Sequence, residues 1–193
     1  MALTSQQKTT LKAAILADAT LGPLFTAGAS GVVEQGINTT VSPPFLIWSE
    51  AADVAAILNG VDGTKYTPSD TPALGDSQAQ AALFLNRAHQ ILIKQQNLIM
   101  YTVGRQTLDC RTVGVRTALR DAVINVPAGA SGANVSPGGA SGVNVMSACV
   151  RHATFAEKAL AGASTPLGTV QGNDATFIGR VTGDEVSQMM AGV

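Results

Sequence analysis

The sequence contains few charged residues and very few aromatic ones. Charged side chains make up 13% of the 193 residues and aromatic side chains 4%, and the mean hydropathy is +0.22. No apolar run approaches the roughly 20 residues that a membrane-spanning helix requires, and the first residues lack the basic-then-apolar order of a signal peptide. We therefore expect no membrane segment. A chain with so little charge is also expected to cover apolar surface against neighbouring subunits.

Cysteine is almost absent. Cys110 and Cys149 are too few for a disulfide framework, and nothing in the sequence indicates secretion. We expect reduced thiols and a cytosolic origin.

The common catalytic motifs are missing. Gly-Ala-Ser-Gly occurs at residues 28–31, 129–132 and 139–142, but a nucleophile elbow needs glycine two positions after the serine, where this chain has Val32, Ala133 and Val143. A Gly-Lys-Ser/Thr phosphate loop and the dinucleotide fingerprint are absent too. The sequence therefore predicts a protein that is not an enzyme and that binds no cofactor.

A metal site is the alternative from another functional class. Cys149 and His152 are three residues apart, one turn on a predicted helix, and Cys110 and His89 could complete four zinc ligands if separate helices brought them together. A small metal-dependent enzyme acting through Cys149 and His152 stays open at this point. The other interpretation is two small buried thiols and two ordinary imidazoles.

Charge is distributed unevenly along the chain, although the net charge is −1. Residues 1–76 contain three basic and seven acidic side chains. Residues 77–158 contain eight basic and three acidic ones, which gives this second segment a net charge of +5. A solvated face of a helical domain explains this excess. The alternative is a surface that faces DNA, for which the candidates are Arg105, Arg111, Arg116 and Arg120.

Residues 76–103 form the longest segment without glycine or proline. They predict one long helix that begins at Asp76 as N-cap. Because apolar side chains cover most of its circumference, we expect this helix to be largely buried as the spine of the fold. Its polar residues form one stripe: Arg87, Gln90, Lys94, Asn97 and Tyr101.

The rest of the chain predicts shorter helices around this spine, among them residues 4–18 and 145–161. A Gly/Ser-rich segment at about residues 127–144 predicts a flexible or externally pinned loop, and residues 164–193 predict a C-terminal arm with a short strand. The predicted fold is mainly α, a helical bundle around one long central helix. We expect residues 1–193 to form a single domain.

Phe45 and Trp48 lie in an extended apolar run that follows Pro43 and Pro44. As exposed aromatic side chains they would be anchors in a partner's pocket. The favoured interpretation is that they are structural anchors, which pack on the spine helix and hold the first helices against it.

Five segments of the sequence together resemble a family of small structural proteins from tailed bacteriophages, the head-to-tail connectors or neck adaptors. They occur in the family's order and span nearly the whole chain: LKAAILADATLGPL (11–24), PPFLIWSEAADVAAILNG (43–60), RTVGVRTALRDAV (111–123), RHATFAEKAL (151–160) and ATFIGRVTGDEV (175–186). The predicted spine helix is longer than the family's, and the doubled Gly-Ala-Ser-Gly loop is enlarged.

The resemblance implies a largely helical adaptor without catalytic residues. It implies a homo-oligomeric ring, usually of 12 copies, that lies below the portal protein, contacts tail or tail-completion proteins and joins the capsid to the tail. DNA would pass through the lumen, and the location would be the neck of the virion, at the portal vertex, with the host cytoplasm as the location during assembly. A capsid decoration protein or a minor head protein is the alternative within the same class.

Overall fold

The computed structural model describes residues 2–68, 77–129 and 134–192. About 53% of the described residues are helical and 13% are in strands, and four of the strands form a mixed sheet. The fold is therefore mixed α/β, and the prediction of a mainly α helical bundle is wrong. The strands contain two to four residues each, too few for the apolar–polar alternation that identifies a strand in a sequence.

The helices in the described residues are α1 (Ser5–Ala17), α2 (Leu21–Thr26), α3 (Ser30–Ile37), α4 (Val54–Asn59), α5 (Gln78–Thr102), α6 (Val113–Ala122), α7 (Val143–Ala148), α8 (Phe155–Ala159) and α9 (Gly183–Ala191), with 3-10 turns at Gly63–Tyr66 and Ala140–Gly142. The strands are β1 (Leu46–Trp48), β2 (Ala52–Asp53), β3 (Thr107–Leu108), β4 (Val126–Pro127), β5 (Asn134–Val135), β6 (Val150–His152), β7 (Ala161–Ser164) and β8 (Asn173–Ala175).

The chain forms two compact units that are interleaved along the sequence. The first contains Met1–Ile47, Arg151–Thr165 and Gly172–Val193, and the second contains Trp48–Val150 and Pro166–Gln171. The single domain expected over residues 1–193 stays a prediction.

The first unit combines helices with the mixed sheet. Strand order is β6-β1-β8-β7; β1 and β8 are parallel with Ile47 opposite Asn173, and β7 and β8 are antiparallel. Helix α1 begins as predicted, because the Thr4 hydroxyl accepts from the Gln7 amide at 3.2 Å and the Gln7 side chain accepts from the Thr4 amide at 2.9 Å. The buried core of this unit consists of Leu3, Leu11, Ile15, Leu21, Phe25, Val33, Ile37, Ala156, Leu160, Phe177, Val181, Val186 and Met189.

The long helix α5 belongs to the second unit. It begins one residue after Ser77, which forms a capping box with Gln80; the predicted cap, Asp76, lies outside the described residues. The expectation that this helix is largely buried is wrong, because its buried residues are Ile91, Leu98 and Thr102. Only one seam of α5 packs on the body of the unit.

Two hydrophobic clusters stabilise the second unit. The larger contains Trp48, Ala52, Val54, Ile57, Leu98, Leu108, Cys110, Leu119, Ala122, Val123, Ile124, Val145, Met146, Cys149 and Val170. In the smaller, Tyr66 packs with Ile91 and Val126. Its hydroxyl donates to the Ala122 carbonyl at 2.8 Å, and burial raises the pKa of Tyr66 to about 12.

The described part of the Gly/Ser-rich segment is ordered by its own chain. Val126 in β4 pairs with Val135 in β5, the Asp62 amide donates to the Pro137 carbonyl at 2.8 Å, and the Gly138 amide donates to the Val123 carbonyl at 3.0 Å. Residues 134–144 thus make backbone hydrogen bonds with their own chain, and the flexible or externally pinned loop over residues 127–144 stays a prediction. Residues 130–133 lie outside the described residues.

The predicted helix over residues 145–161 is also wrong. The chain forms α7, then β6, then α8 in this stretch. The break is explained by the backbone pairing around Cys149, whose carbonyl accepts from the Ser49 amide at 2.9 Å instead of continuing a helix. Over the last part of the predicted C-terminal arm, residues 164–193, the chain forms β8 and α9.

Candidate functional site

The four arginines that the sequence nominated to face DNA have different surroundings in the second unit. Arg105 is exposed in the turn that follows α5. Arg111 is exposed as well, but its Nε donates to Asp109 Oδ1 at 2.8 Å. That hydrogen bond lowers the pKa of Asp109 and raises the pKa of Arg111. The neighbouring Asp109 carboxylate therefore offsets part of the positive charge of Arg111.

Arg116 is an internal residue. It is 2% exposed, and its guanidinium carbon lies 4.5 Å from the centre of the Trp48 ring. Its Nη1 donates to the carbonyls of Cys110 at 3.1 Å and Arg111 at 2.7 Å. A guanidinium used in this way stabilises the loop before α6 and does not face solvent, so Arg116 leaves the set of candidates for DNA contact.

Arg120 is partly drawn into the fold. Its Nε donates to the Ser141 carbonyl at 3.3 Å, and its side chain is 27% exposed. Nearby, Lys94 of α5 donates to the carbonyls of Asp121 and Ile124 at the end of α6, and burial lowers the pKa of Lys94. The basic surface of this unit is thus smaller than the sequence indicates, because Arg120 and Lys94 are partly buried and donate hydrogen bonds to backbone carbonyls.

The two structural anchors differ in burial. Trp48 is fully buried in the larger cluster together with Leu98 of α5, which agrees with packing on the spine helix. Phe45, in the first unit, is partly buried, and the ammonium of Lys158 lies 5.9 Å from its ring centre.

The cysteines flank Ser49 through the backbone. The Cys110 amide donates to the Ser49 carbonyl at 2.8 Å, and the Ser49 amide donates to the Cys149 carbonyl at 2.9 Å. Both thiols are buried. A hydrogen bond with the Cys110 thiol, together with burial, raises the pKa of Cys149. A thiol that stays protonated at neutral pH is a poor nucleophile and a poor metal ligand.

The proposed metal ligands do not form a set in the described residues. His152 lies in strand β6, so the spacing of one helical turn from Cys149 that the sequence predicted does not exist. His152 and His89 are exposed. Within residues 2–68, 77–129 and 134–192, no three His, Cys, Asp or Glu side chains come together closely enough for a metal ion.

A groove of about 630 Å³ in the second unit contains Asp53, Leu58, Thr102 and Arg105 in its lining. The carboxylate of Asp53 accepts from the Ala55 amide at 3.0 Å and so caps α4. The groove offers no pair of acid and base side chains that would support general acid–base chemistry.

The feature that the sequence prediction missed is an exposed apolar face of α5. We call it the exposed stripe: Leu85, Leu92, Ile93, Ile99 and Met100, whose exposures are 66%, 48%, 43%, 52% and 61%. A signal for it is present in the sequence. Leu85, Leu92 and Ile99 recur every seven residues, directly beside a row that consists of the half-buried Phe84 and the buried Ile91 and Leu98. Two adjacent apolar rows are more than one packing seam requires.

No protein-family model, curated protein or solved structure matches the chain. In the part of the chain that the structure describes, no helix has both the length and the apolar character to cross a membrane.

Proposed function

We propose that the protein is a structural subunit of the head-to-tail connector of a tailed bacteriophage. In this proposal, copies of the chain form a ring, usually of 12 subunits, below the portal protein. The ring contacts tail or tail-completion proteins and joins the capsid to the tail. The protein acts by assembly and carries out no catalysis.

The observation that carries the proposal is the order of five sequence segments similar to that family. Each segment coincides with defined elements of the structure. Residues 11–24 cover most of α1 and the start of α2, residues 43–60 contain β1, β2 and α4, and residues 111–123 contain α6. Residues 151–160 contain α8, and residues 175–186 run from the end of β8 into α9. The proposal rests on this order and does not require a purely helical fold.

The surface chemistry of the chain also supports an assembly role. Charged residues amount to 13% of the sequence, and the longest described helix presents six large apolar side chains that are 43–66% exposed, namely Leu83 and the five residues of the exposed stripe. Apolar surface on this scale is typical of proteins that pack against neighbours.

Imaging of the parent particle by cryo-electron microscopy tests the proposal. Density for this chain in a ring at the portal vertex is the expected result. Density on the capsid lattice would overturn it in favour of a capsid decoration or minor head protein. Elemental analysis of the purified protein addresses the enzymatic alternative, because stoichiometric zinc that is lost in Cys149→Ala would contradict a purely structural role.

The proposal includes weak contact with DNA in the lumen through Arg105, Arg111 and the partly exposed Arg120. Binding that rests on phosphate contacts weakens steeply with salt. A gel mobility shift with duplex DNA at two salt concentrations, on wild type and on Arg105→Ala, measures this contact. Binding that is salt-sensitive and weaker in the variant is expected. Binding that does not respond to salt would remove the phosphate contact.

A further inference from the structure

The two cysteines of the sequence meet in the interior of the second unit. They are far apart along the chain, since Cys110 follows β3 and Cys149 lies at the end of α7. Both residues are nevertheless 0% exposed and belong to the same hydrophobic cluster. Their proximity is therefore a product of the fold and not of neighbouring positions in the sequence.

Backbone and side-chain contacts hold the two cysteines together. The Ser49 amide donates to the Cys149 carbonyl at 2.9 Å, and the Ser49 carbonyl accepts from the Cys110 amide at 2.8 Å. The two thiols are also hydrogen-bonded to each other, and the Cys149 thiol donates to the Val145 carbonyl at 3.4 Å. The sulfur atoms thus lie side by side in a fully buried site.

The two thiols differ in acidity. The hydrogen bond with Cys149 lowers the pKa of Cys110 and, together with the charge of Arg116, outweighs burial and the charge of Asp109. Arg116 is close because its Nη1 donates to the Cys110 carbonyl at 3.1 Å. The same hydrogen bond and burial raise the pKa of Cys149. Cys110 is therefore the first of the pair to form the thiolate, which is the form of cysteine that oxidants attack.

We propose that Cys110 and Cys149 form a reversible disulfide that cross-links the second unit when the protein meets hydrogen peroxide. The Cys110 sulfur attacks one peroxide oxygen, the O–O bond breaks, and the leaving hydroxide takes up the thiol proton as water. The Cys149 sulfur then attacks the sulfur of the resulting Cys110 sulfenic acid, the S–O bond breaks, and the second hydroxide leaves with the Cys149 proton. Two thiols are oxidised, and one hydrogen peroxide is reduced to two molecules of water.

The site suits this reaction in spite of its burial. Hydrogen peroxide is little larger than water, so it reaches a buried site through the local openings that folded proteins undergo. A disulfide requires the two sulfurs to approach to about 2 Å, and the contact between the thiols brings them into position for it. The bond would close residues 110–149 into a loop and restrict the unfolded chain, which stabilises the folded unit.

This inference goes beyond the proposed function and does not need the phage role, because the chemistry belongs to the second unit alone. A reducing compartment keeps the thiols free, and an oxidising one favours the bond. In the proposed function, the chain would assemble in the reducing host cytoplasm and acquire the disulfide after the particle leaves the cell.

The first test is peptide mapping of the purified full chain after exposure to hydrogen peroxide, with free thiols alkylated in denaturant and no reductant present. Trypsin places Cys110 in residues 106–111 and Cys149 in residues 121–151, so a linked pair of these peptides identifies the disulfide. We expect the linked pair, and a denaturing gel without reductant should show the mass of one chain. Met100, which is 61% exposed, is the internal reference for the extent of oxidation.

Three results of this test would overturn the proposal. The first is two alkylated thiols at the point where Met100 is fully converted to the sulfoxide. The second is sulfinic acid on either cysteine in place of the linked pair, and the third is a disulfide that joins two chains. The test needs wild type alone, so it decides the question even where a cysteine variant does not fold.

The second test is the stability of the peroxide-treated protein before and after dithiothreitol, which reduces a disulfide and leaves methionine sulfoxide in place. The oxidised form is expected to unfold at a urea concentration higher by about 1 M or more. Cys110→Ser and Cys149→Ser are the matched controls, because each removes one sulfur with little change in size, and neither should show a shift that reductant reverses. An oxidised wild type without a higher midpoint, or a reversible shift in either serine variant, would contradict the cross-link.

Discussion

Arg116 and Trp48 stabilise the interior of the second unit as a pair. The guanidinium covers the indole ring at 4.5 Å and donates to two carbonyls of the preceding loop. Its charge is therefore hydrogen-bonded and lies against an aromatic face, two conditions that allow a buried cation. The arginine in this position is a structural residue that supports the helix α6 on which it lies.

Replacement of Trp48 by alanine is expected to destabilise the isolated subunit by about 3–5 kcal/mol, because it removes a fully buried ring and leaves a cavity. Phe45→Ala, at a partly exposed position, should cost less. Thermal or urea unfolding of the two variants measures the difference. A Trp48→Ala protein that melts like wild type but no longer assembles would place Trp48 at an interface instead.

Glu157 predicts a loss of stability in acid. Its carboxylate is 2% exposed and lies 2.7 Å from Arg151 Nη2. Burial opposes the charged form, but hydrogen bonds from Arg151 and Thr154 outweigh it and lower the pKa of Glu157 below the ordinary 4.5. A lowered pKa in the folded state contributes stability above the unfolded pKa, and this contribution is lost as the pH falls through the folded pKa.

Glu157→Gln is therefore expected to cost about 1–2 kcal/mol at pH 7, since Arg151 is partly exposed and keeps some hydration. The difference from wild type should shrink below pH 4.5. Urea unfolding at pH 7 and pH 3.5 measures it. Equal differences at the two pH values would exclude this carboxylate as a source of the pH dependence.

At the scale of structural elements, the Gly/Ser-rich segment contains a glycine, Gly138, that permits close packing against a neighbouring residue. A Cβ on Gly138 would lie 2.5 Å from Val123 Cγ2 and 2.9 Å from Val123 Cβ. Glycine at this position lets the segment approach α6 closely enough for the Gly138 amide to reach the Val123 carbonyl. In the described part of the segment, the glycine at position 138 is therefore required by close packing against Val123.

Two glycine substitutions in the second unit should have opposite signs. Gly138→Ala is expected to destabilise by about 1–3 kcal/mol, because the β-branched Val123 cannot move aside. Gly114→Ala, in the first turn of α6 where a Cβ meets nothing within 4 Å, is expected to stabilise by up to about 1 kcal/mol. Chemical denaturation of both variants checks the prediction, which fails if both shift stability in the same direction.

For the whole molecule, the scarcity of charge and the exposed stripe are two aspects of one property. A chain with 13% charged residues has few charged side chains to place on its surface, and none of the five residues of the exposed stripe is charged. The proposed assembly would cover apolar surface of this kind. If copies of the chain associate only when folded, the stability rises with protein concentration.

The melting temperature is accordingly expected to rise with protein concentration, by roughly 1–3 °C for each tenfold increase if the copies of the proposed ring dissociate and unfold together. Scanning calorimetry over two decades of concentration provides the measurement. A melting temperature that is the same throughout for wild type would show that folding and association are not linked.

The local sequence by itself determined the elements whose signals are contained within a few residues. Thr4 and Gln7 specify the start of α1, and the glycine- and proline-free stretch specifies the length of α5. The apolar run that follows Pro43 and Pro44 specifies extended backbone up to Trp48, although not the strand partner. In each case the stabilising hydrogen bond or backbone restriction is formed by neighbours in the chain, so it can be read without knowing the fold.

Only the tertiary structure decided the fold class and which polar residues are buried. The short strands exist because partners far along the chain pair with them, as Ile47 does with Asn173. Arg116 is buried because its guanidinium donates to the Cys110 and Arg111 carbonyls and packs against the Trp48 ring. Which apolar row of α5 is buried depends on how much of the second unit packs against it, and no local pattern distinguishes the buried Ile91 and Leu98 from the neighbouring row that stays exposed.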